Sequence, residues 1–528
     1  MVPFLGEYTM TNLRVCFLAL ILVALAGPVS VHAGESSFVF PESGLEVDGR
    51  VTLLAIDDHA LREWDGLALM LSTPKVYPEP VLMPETGNLS APDSMAAHFY
   101  GTVLHDGDKY QMWYYAVSYK KGAPGDLAQG PVCYAESDDG VHWVKPHLGQ
   151  VEINGSTENN ALKLPDETTQ CAAVIIDEDE PDPQRRYKML YVALSGTWLF
   201  RPATSPDGIH WETAAEFPTE TFLEMGSFYK FGGRYIAHGQ GIGKRDGVAE
   251  GRQGYASTSS DFTTWDKEYL DAFRLPEPED VAKRGLVGDY PQVHLGVGGA
   301  SFGNVAVGLY GIWHNPSEAE RRKEGWYGAG IIYCDLGLLV SNDGVTFREP
   351  VKGNVFISSG DSPVTAAPGV ESPTILCQAN GILNVGDETR IYHGRWRNAT
   401  ETKTYYHGEV ALATLPRDRW GALQLKRGVA SGTVWSGPIR LPERGVTMAL
   451  NAEGAGLIQL ELADESGQLL PGFSGSNRAT FRKARGVEHG VLWTGGDLAS
   501  LAGETVRLKI TLWGPNARLY AVYLDPVE

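Results

Sequence analysis

Cysteine is scarce in this chain, with five residues among 528. The sequence contains no Cys-x-x-Cys pair and no Cys/His spacing typical of zinc sites, which argues against a zinc module or a dithiol redox centre. Four of the cysteines, Cys133, Cys171, Cys334 and Cys377, lie in apolar strand-like runs. Buried free thiols and one or two disulfides are both compatible with that placement.

Positive charge is also in short supply. The sequence has 44 Lys and Arg against 65 Asp and Glu, which gives a formal net charge of -21. Because nucleic acids and anionic membranes attract basic surfaces, we expect neither as a partner. Solubility is the simplest interpretation of the acidic balance, and a calcium-rich surface is the alternative.

Long apolar runs are absent except at the N-terminus. Arg14 precedes an apolar run over residues 15–26, and Val31-His32-Ala33 follows ahead of Gly34. A charged start, an apolar core and small residues are typical of a secretory signal. We therefore expect residues 1–33 to be a signal peptide and the mature protein to be secreted or periplasmic. The run is too short for a membrane anchor, so no membrane association is expected after cleavage.

Glycine and proline, in contrast, are plentiful. The 62 Gly and 31 Pro lie mostly between short apolar runs. This distribution is typical of a turn-rich all-β protein and predicts little helix beyond a short one around residues 59–71. The length suits two or three domains.

A seven-residue motif repeats along most of the chain. It reads Ser-Asp-Asp-Gly-Val-His-Trp at 137–143 and returns at 205–211, 259–265 and 341–347, with a degraded fifth copy ending at Trp420. An Asp-Gly pair suits a tight turn, and the aromatic can pack over that turn. Repetition with strands on both sides predicts a five-bladed β-propeller whose blades the motif builds and spaces.

The rhythm of the sequence divides the chain into four predicted segments. After the signal peptide, residues 34–90 lead into the propeller and close it, and residues 91–425 form its five blades. Residues 430–528 lack the motif but contain alternating strand-like runs, which predicts a C-terminal β-sandwich. A stabilising role is expected for this sandwich, with carbohydrate binding as the alternative.

Three acidic residues stand at the starts of predicted inner strands in consecutive blades: Glu224, Asp289 and Glu371. Inner strands of a propeller converge on its central channel, so these carboxylates are expected to meet there. Two carboxylates with separated pKa values can act as acid and base in the hydrolysis of a glycosidic bond. The alternative for each residue is a turn cap or an ion pair with arginine.

The residues around Glu224 resemble a stretch of glycoside hydrolase family 43, Glu-Gly-Pro-x-x-Tyr-Lys-x-x-Gly-x-Tyr. The matching positions are Glu224, Gly226, Tyr229, Lys230, Gly233 and Tyr235. The chain is also similar to the family 32 and family 130 propellers, although only in its blade layout. This resemblance implies a propeller glycosidase in which Glu224 is the general acid.

The same resemblance implies an Asp base in blade one and a second Asp in blade two. The nearest positions of this chain hold His98 and Gln170 or their immediate neighbours. If the protein is catalytic, Asp289 or Glu371 must therefore supply the base. Otherwise the chain binds sugars without cleaving them.

Three histidines end comparable second strands in successive blades: His238, His314 and His393, with Arg395 just beyond the last. Imidazoles at one level favour hydrogen bonding to sugar hydroxyls or to an anion, with metal binding as the alternative. The full predicted substrate-binding set is His98, Gln170, His238, Trp313, His314, His393 and Arg395. No cofactor is expected, although related propellers sometimes hold a central calcium near a histidine.

The leading hypothesis is a secreted, exo-acting glycoside hydrolase that works on an oligo- or polysaccharide by carboxylate acid/base catalysis. A sugar-binding propeller without catalysis and a scaffold propeller are the alternatives from other functional classes. Phosphorolysis would require a basic phosphate pocket, for which Arg395 and Arg397 are the nearest candidates.

Overall fold

The computed structural model describes residues 36–119, 127–166, 169–195, 197–214, 223–245, 248–275, 292–314, 332–370, 372–397, 406–454, 456–483 and 485–527. Within these ranges the chain consists of β-strands, turns and short 3-10 helices, and no α-helix occurs. The prediction of an all-β protein is therefore confirmed. A search of the same ranges finds no helix with the length and apolar character needed to cross a membrane. The predicted signal peptide lies outside them.

The N-terminal strands are β1 (Ser37–Phe40), β2 (Leu45–Asp48), β3 (Val51–Leu54), β4 (Leu61–Asp65), β5 (Leu67–Leu71) and β6 (Lys75–Val76). The strands of the repeated region are β7 (Ala96–Asp106), β8 (Lys109–Tyr119), β9 (Leu127–Ser137), β10 (Thr169–Ile176), β11 (Tyr187–Ser195), β12 (Thr197–Ser205), β13 (Glu212–Thr213), β14 (Glu224–Phe231), β15 (Arg234–Arg245), β16 (Val248–Ser259), β17 (Leu270–Phe273), β18 (Gln292–Ser301), β19 (Ala306–His314), β20 (Tyr333–Ser341), β21 (Val355–Ile357), β22 (Ile375–Cys377), β23 (Ile382–Val385), β24 (Glu388–Arg397) and β25 (His407–Pro416).

The C-terminal strands are β26 (Gly421–Leu425), β27 (Ser431–Ser436), β28 (Ile439–Arg440), β29 (Val446–Glu453), β30 (Leu457–Asp464), β31 (Ala479–Arg482), β32 (His489–Gly490), β33 (Thr505–Trp513) and β34 (Arg518–Pro526). Short 3-10 helices cover Pro183–Arg185, Pro471–Phe473, Gly475–Asn477 and Leu498–Leu501.

Strands β7 to β25 fall into five antiparallel sets, which we number in chain order: set 1 (β7–β9), set 2 (β10–β13), set 3 (β14–β17), set 4 (β18–β21) and set 5 (β22–β25). Sets 2 and 3 are separate four-stranded sheets. Sets 4, 5 and 1 join into one larger sheet through the parallel bridges Cys334↔Ile375 and Gly408↔Ala96. Strand β6 pairs with β25, so the N-terminal segment adds an outer strand to set 5.

The strands of these sets are buried on both faces because neighbouring sets pack against each other. In β19, Val307 and Leu309 pack with Leu376 of set 5, while Tyr310 packs with Ile236 of set 3. Burial on both faces explains why such strands read as nearly continuous apolar runs rather than as an alternation of polar and apolar residues.

Each of the four full copies of the repeated motif is a turn after the third strand of a set. In the first copy, Ser137 accepts a hydrogen bond from the backbone N–H of Gly140 (2.9 Å). Asp139 accepts two more, from the N–H groups of Val141 and His142, both at 2.8 Å. The Ser and Asp bonds recur in the other three copies. The turn is therefore stabilised by its own side chains.

Three of these turns also dock on another set through the carbonyl of the glycine. The pairs are Tyr392 Oη to Gly140 O at 2.7 Å, Trp113 Nε1 to Gly208 O at 2.8 Å and Tyr229 Oη to Gly344 O at 2.6 Å. The first turn thus binds set 5, the second binds set 1 and the fourth binds set 3.

Asn380, which follows β22, ties the first strands of several sets together. Its backbone N–H donates to Gly101 O (3.0 Å), and its carbonyl accepts from the N–H of Val103 (3.1 Å) in set 1. Its side-chain amide donates to Val174 O of set 2 (3.0 Å) and accepts from the N–H of Phe228 of set 3 (3.4 Å). The inner strands of these sets therefore meet around one residue.

The C-terminal strands build two sheets together with β1 to β5. One has the order β2-β1-β28-β33-β27-β4 with β30 and β31 attached, and the other has the order β32-β29-β34-β26-β5 with β3 attached. A single core includes Phe38 and Leu508 from the first sheet and Leu450 and Leu524 from the second. The prediction of a short helix at residues 59–71 is wrong. The segment forms β4, which pairs with β27, and β5, which pairs with β26.

All four cysteines in the described ranges are buried and free: Cys133, Cys171, Cys334 and Cys377. Of the two states that the sequence left open, the structure shows free thiols.

Candidate functional site

The first strands of sets 1 to 4 are each interrupted by a β-bulge at a corresponding level. The ladder with the second strand shifts after His98, Gln170, Met225 and His294. In set 5, the break between β22 and β23 lies at a comparable place. A bulge redirects the neighbouring side chains and is common beside active sites. The bulges therefore mark one level of the inner strands as a candidate site.

Two of these bulges hold non-glycine residues in the left-handed backbone region, Cys171 (φ 47°) and Leu295 (φ 58°). Branched and bulky residues rarely adopt this conformation, and it persists only where the surroundings impose it. Leu295 is held by a hydrogen bond from its N–H to Gln240 Oε1 of set 3, at 2.7 Å. The backbone at this level is thus fixed by contacts between sets.

Glu224 begins β14, opposite Gln240 of β15. The amide of Gln240 donates a hydrogen bond to the Glu224 carboxylate, while the amide oxygen holds Leu295. Because both ends of the amide are occupied, Gln240 has one orientation available and fixes the position of the acid. Glu224 keeps a partly accessible side chain.

Burial raises the pKa of Glu224 above its ordinary value, and the nearby charge of Arg252 and the hydrogen bond from Gln240 only partly oppose that rise. Desolvation disfavours the ionised form of a carboxyl group. Glu224 therefore retains its proton to higher pH than an exposed glutamate, which is the direction required of a general acid.

An aromatic wall surrounds His98. Its ring lies 5.6 Å from Tyr115, 5.4 Å from Tyr100, 5.5 Å from Trp396 and 5.4 Å from Tyr406, measured between ring centroids. His98 Nε2 also hydrogen-bonds Tyr406 Oη at 2.7 Å. Rings from sets 1 and 5 and from the segment before β25 thus pack into one cluster, in which His98 and Tyr115 are buried.

The wall continues to set 4 through His294. The His294 ring lies 6.5 Å from Trp396 and 4.7 Å from Trp313. The guanidinium of Arg252, from set 3, lies 5.5 Å from the centroid of the Trp313 ring. Arg252 and Glu224 interact electrostatically, so the wall and the acid belong to one cluster.

The ionisable groups of this wall are neutral near pH 7. Burial lowers the pKa of His98 to about 3 and that of His294 well below its ordinary value. Burial is also the main reason why the pKa values of three phenols are raised, with smaller contributions from neighbours that include Glu224. These phenols are Tyr100, Tyr115 and Tyr406. Neutral rings do not stabilise an ionised carboxylate, so the charge of Arg252 and the hydrogen bond from Gln240 are the contacts that oppose the raised pKa of Glu224.

Gln170 occupies the corresponding position in set 2. Its amide donates hydrogen bonds to Tyr115 Oη (3.2 Å) and to Gln129 Oε1 (2.5 Å). Of the residues predicted from the sequence, the structure therefore brings His98, Gln170, Glu224 and Trp313 into one cluster. Asp289 and Glu371 lie outside the described residues.

The three histidines predicted at one level have three different environments. His238 Nε2 bonds Gly344 O at 2.9 Å, His314 Nε2 bonds Asp335 at 2.9 Å, and His393 Nε2 bonds Ser362 Oγ at 2.7 Å. The structure does not bring them together, because each lies on the second strand of a different set. The described ranges contain no group of three or more His, Cys, Asp or Glu residues arranged to hold a metal.

Arg395 is buried and holds set 5 against the N-terminal segment. Its guanidinium donates to Ser362 Oγ (2.8 Å), to Pro78 O (3.2 Å) and to Tyr77 O (2.8 Å). It also lies 3.7 Å from Glu409. These contacts show Arg395 in a structural role.

Sequence reasoning missed five members of the cluster: His294, Gln240, Arg252, Tyr100 and Tyr406. The sequence did offer a signal for His294, because it is a polar residue within the apolar first strand of set 4, at the level of His98. Tyr406 has no comparable signal because it precedes its strand and approaches His98 only through the packing of β25 beside β7.

No protein-family model matches the chain. Two curated relatives, both uncharacterized proteins of Mycobacterium tuberculosis from the strains CDC 1551 and H37Rv, are 29% identical over 112 residues. That alignment covers 21% of this chain and spans only about a third (32%) of the relatives' length.

Solved structures that the chain resembles include glycoside hydrolases and a phosphorylase. A glycosyl hydrolase from Bacteroides ovatus is 16% identical over 66% of this chain and 94% of its own, with a TM-score of 0.42. A family 43 arabinoxylan arabinofuranohydrolase from Bacillus subtilis is 10% identical over 82% and 96%, at 0.37. A β-1,2-mannobiose phosphorylase from Listeria innocua is 13% identical over 65% and 97%, at 0.41. At these TM-scores the likeness carries no argument about activity.

Proposed function

We propose that this chain is a carbohydrate-active enzyme that cleaves glycosidic bonds of an oligo- or polysaccharide, with Glu224 as the general acid. The observation that carries the proposal is Glu224, a partly exposed residue whose carboxyl group has a raised pKa and accepts a hydrogen bond from Gln240. Glycoside hydrolysis requires an acid that still holds its proton at the working pH, so that it can protonate the leaving oxygen.

The scaffold of the proposal is a five-bladed β-propeller in which each strand set is one blade. Docking of the first turn on set 5 through Gly140 and Tyr392 supports a closed ring. Pairing of β6 with β25 supports closure by the N-terminal segment. The bonds that Asn380 makes to sets 1, 2 and 3 support a common centre, where an acid can be buried and still reached from the channel.

The aromatic wall is the proposed sugar-binding surface. Sugar rings present apolar C–H faces that pack on aromatic rings such as Trp313 and Trp396. His98, Tyr406 and Gln170 carry hydrogen-bonding groups that suit sugar hydroxyls. We propose that the site is an enclosed funnel, which would favour the binding of chain ends, and that the enzyme therefore acts as an exo-hydrolase.

Asp289 and Glu371 remain the proposed sources of the base. They precede the first strands of sets 4 and 5 in the sequence, and it is this sequence position alone that supports the proposal. An inverting reaction through direct attack of water would require about 6.5 to 9.5 Å between acid and base. Export through the N-terminal signal is part of the same proposal.

The test is the release of sugars from a panel of oligosaccharides, polysaccharides and aryl glycosides. We expect the wild-type chain to release a monosaccharide from at least one substrate, and Glu224→Gln to lower that rate about 10²- to 10⁴-fold with an unchanged melting temperature. Full activity in Glu224→Gln would contradict the assignment of the acid.

A sugar-binding propeller without catalysis is the second candidate. It is favoured by His98 and Gln170, which stand where the resembled families place aspartates and which are engaged in hydrogen bonds as neutral groups. Saturable oligosaccharide binding by the wild-type chain, with no product after long incubation, would support this candidate over the hydrolase.

A further inference from the structure

A second cleft lies between set 5 and the C-terminal sheets, away from the aromatic wall. Its volume is about 800 Å³, which is within the range of small-molecule and oligosaccharide sites. Four cationic side chains and two carboxylates line it: Arg419, Lys483, Arg485, Arg518, Asp387 and Glu453. The lining is therefore positive in a chain whose formal net charge is -21.

Two of the four cations are engaged by one carboxylate. Glu453 accepts hydrogen bonds from Arg419, from Arg518 (3.1 Å) and from Tyr520 Oη (2.6 Å). Arg419 also donates to Asn451 Oδ1 at 3.0 Å, and its guanidinium lies 4.4 Å from the Tyr520 ring centroid. This part of the cleft therefore holds two arginines against one carboxylate, which leaves one positive charge in excess.

The other two cations, Lys483 and Arg485, are exposed and make no ion pair or side-chain hydrogen bond with the residues that the structure describes. Lys483 follows β31 in the left-handed backbone region (φ 56°), which non-glycine side chains rarely adopt. Among the described residues of the lining, the one further carboxylate is that of Asp387, so the cleft carries more positive than negative charge.

Another cavity, lined in part by residues of β1 and β4, does not share this property. In that cavity, of about 420 Å³, Arg62 is paired with Glu42 through two hydrogen bonds of 2.7 and 2.8 Å. Asn342 donates to Asp57 at 2.7 Å. The arginine of that cavity is therefore neutralised within the protein, whereas Lys483 and Arg485 have no such partner among the described residues.

We propose that this cleft binds the anionic group of an acidic sugar, a uronate carboxylate or a sulfate ester. A guanidinium and an ammonium group match such anions through charge-assisted hydrogen bonds. The assignment of the anion to a sugar rests on the proposed carbohydrate function. The cleft would hold an acidic region of the polysaccharide while the aromatic wall receives a chain end.

The experiment measures binding to the full chain carrying Glu224→Gln, so that turnover does not interfere. The probes are an oligogalacturonate, a sulfated oligosaccharide and a neutral oligosaccharide of equal length, each titrated at about 0.05 M and about 0.5 M salt. The matched variants are Lys483→Ala combined with Arg485→Ala, and Arg482→Ala as the control, since Arg482 is an adjacent exposed cation outside the cleft lining.

We expect at least one acidic probe to bind in a salt-sensitive manner and the double variant to weaken that binding tenfold or more, because each lost charged hydrogen bond is worth about a tenfold change. Arg482→Ala should bind like its parent. Preference between the uronate and the sulfated probe identifies the anion.

Three results would overturn the inference: unchanged affinity in the double variant, an equal loss in Arg482→Ala, or tighter binding of the neutral probe. These results are separable from failure of the proposed function. Acidic sugars can fail to bind while Glu224→Gln still abolishes turnover, and they can bind at the cleft of a chain that cleaves nothing.

Discussion

The outer turns and the inner bulges lie at different places on the same strand sets and follow opposite rules. The turns repeat one sequence and one set of hydrogen bonds, from Ser137 and Asp139 in the first copy to Ser341 and Asp343 in the fourth. The bulges share a backbone distortion, yet they present His98, Gln170, Glu224 and His294, which differ from one set to the next. Repetition marks the scaffold, and variation at a repeated place marks the site.

Their carboxylates differ in the same way. Backbone N–H groups, chiefly that of Thr264, hold the pKa of Asp261 at about 2, and the backbone N–H of His142 leads the contacts that depress the pKa of Asp139. These aspartates are ionised caps. Burial instead raises the pKa of Glu224. The carboxyl groups of the turns thus have lowered pKa values, whereas that of Glu224 has a raised one.

Gly344→Ala, in the fourth turn, should have the largest effect on stability. Gly344 has φ +73°, and a Cβ there would lie 2.6 Å from Phe231 Cγ. The clash and the backbone strain together should lower the free energy of unfolding by about 3 kcal/mol in urea denaturation. Gly353→Ala, with a similar φ of +66° in open space, should cost only about 1 kcal/mol. Equal losses would show that docking of the turn contributes nothing.

Acidification should weaken the docking of the fourth turn through His238. Burial lowers the pKa of His238 to about 4, so in the folded state it stays neutral at pH values where the unfolded chain, with a pKa near 6.5, binds a proton. Its contribution to stability is present above about pH 6.5 and is lost as the pH falls toward 4. Between pH 7 and pH 5 this should cost about 2 kcal/mol.

The measurement for His238 compares urea unfolding at the two pH values in the wild-type chain and in His238→Asn. The variant should be less stable at pH 7, yet it should lose about 2 kcal/mol less on acidification. An identical pH dependence in both chains would assign the acid sensitivity to other groups.

Asp139→Asn should destabilise the first turn without affecting the centre. The two backbone bonds at 2.8 Å lose their charged acceptor, so the free energy of unfolding should fall by about 1 kcal/mol while turnover is unchanged. Asp138→Asn is the control, because the neighbouring Asp138 makes no side-chain hydrogen bond with the described residues. A loss of turnover in Asp139→Asn would break the separation of scaffold and site.

Gln240→Leu should act on the acid itself and leave the turns unchanged. The amide of Gln240 lowers the pKa of Glu224, so its removal should move the alkaline limb of the kcat/KM profile to higher pH by up to about one unit, equivalent to about 1.4 kcal/mol. A shift of the alkaline limb to lower pH would contradict the conclusion that the hydrogen bond from Gln240 lowers the pKa of Glu224.

The features that the sequence predicted are those encoded locally. The turn motif, the all-β class and the position of Glu224 at the start of an inner strand all follow from residues within a few positions of each other. The left-handed bulges at Cys171 and Leu295 could not be predicted in this way, because neither residue type favours that conformation and contacts between sets impose it.

Contacts between residues far apart in the chain could not be predicted from the sequence either. Arg50 bonds Asp525 at 2.7 Å across 475 residues, and β1 to β5 enter the C-terminal sheets through such contacts. A shared site was predicted because three histidines, His238, His314 and His393, occupy comparable positions on the second strands of their sets. Each of them instead contacts a different partner.

The most direct test of the central claim is the protonation state of Glu224, read by difference infrared spectroscopy of the wild-type chain against Glu224→Gln. The account predicts a protonated carboxyl C=O band that belongs to Glu224 and persists above pH 4.5, the ordinary value of a glutamate. Loss of that band at or below pH 4.5 would show that the inner cluster does not keep the acid protonated, and the proposed catalytic role would fall with it.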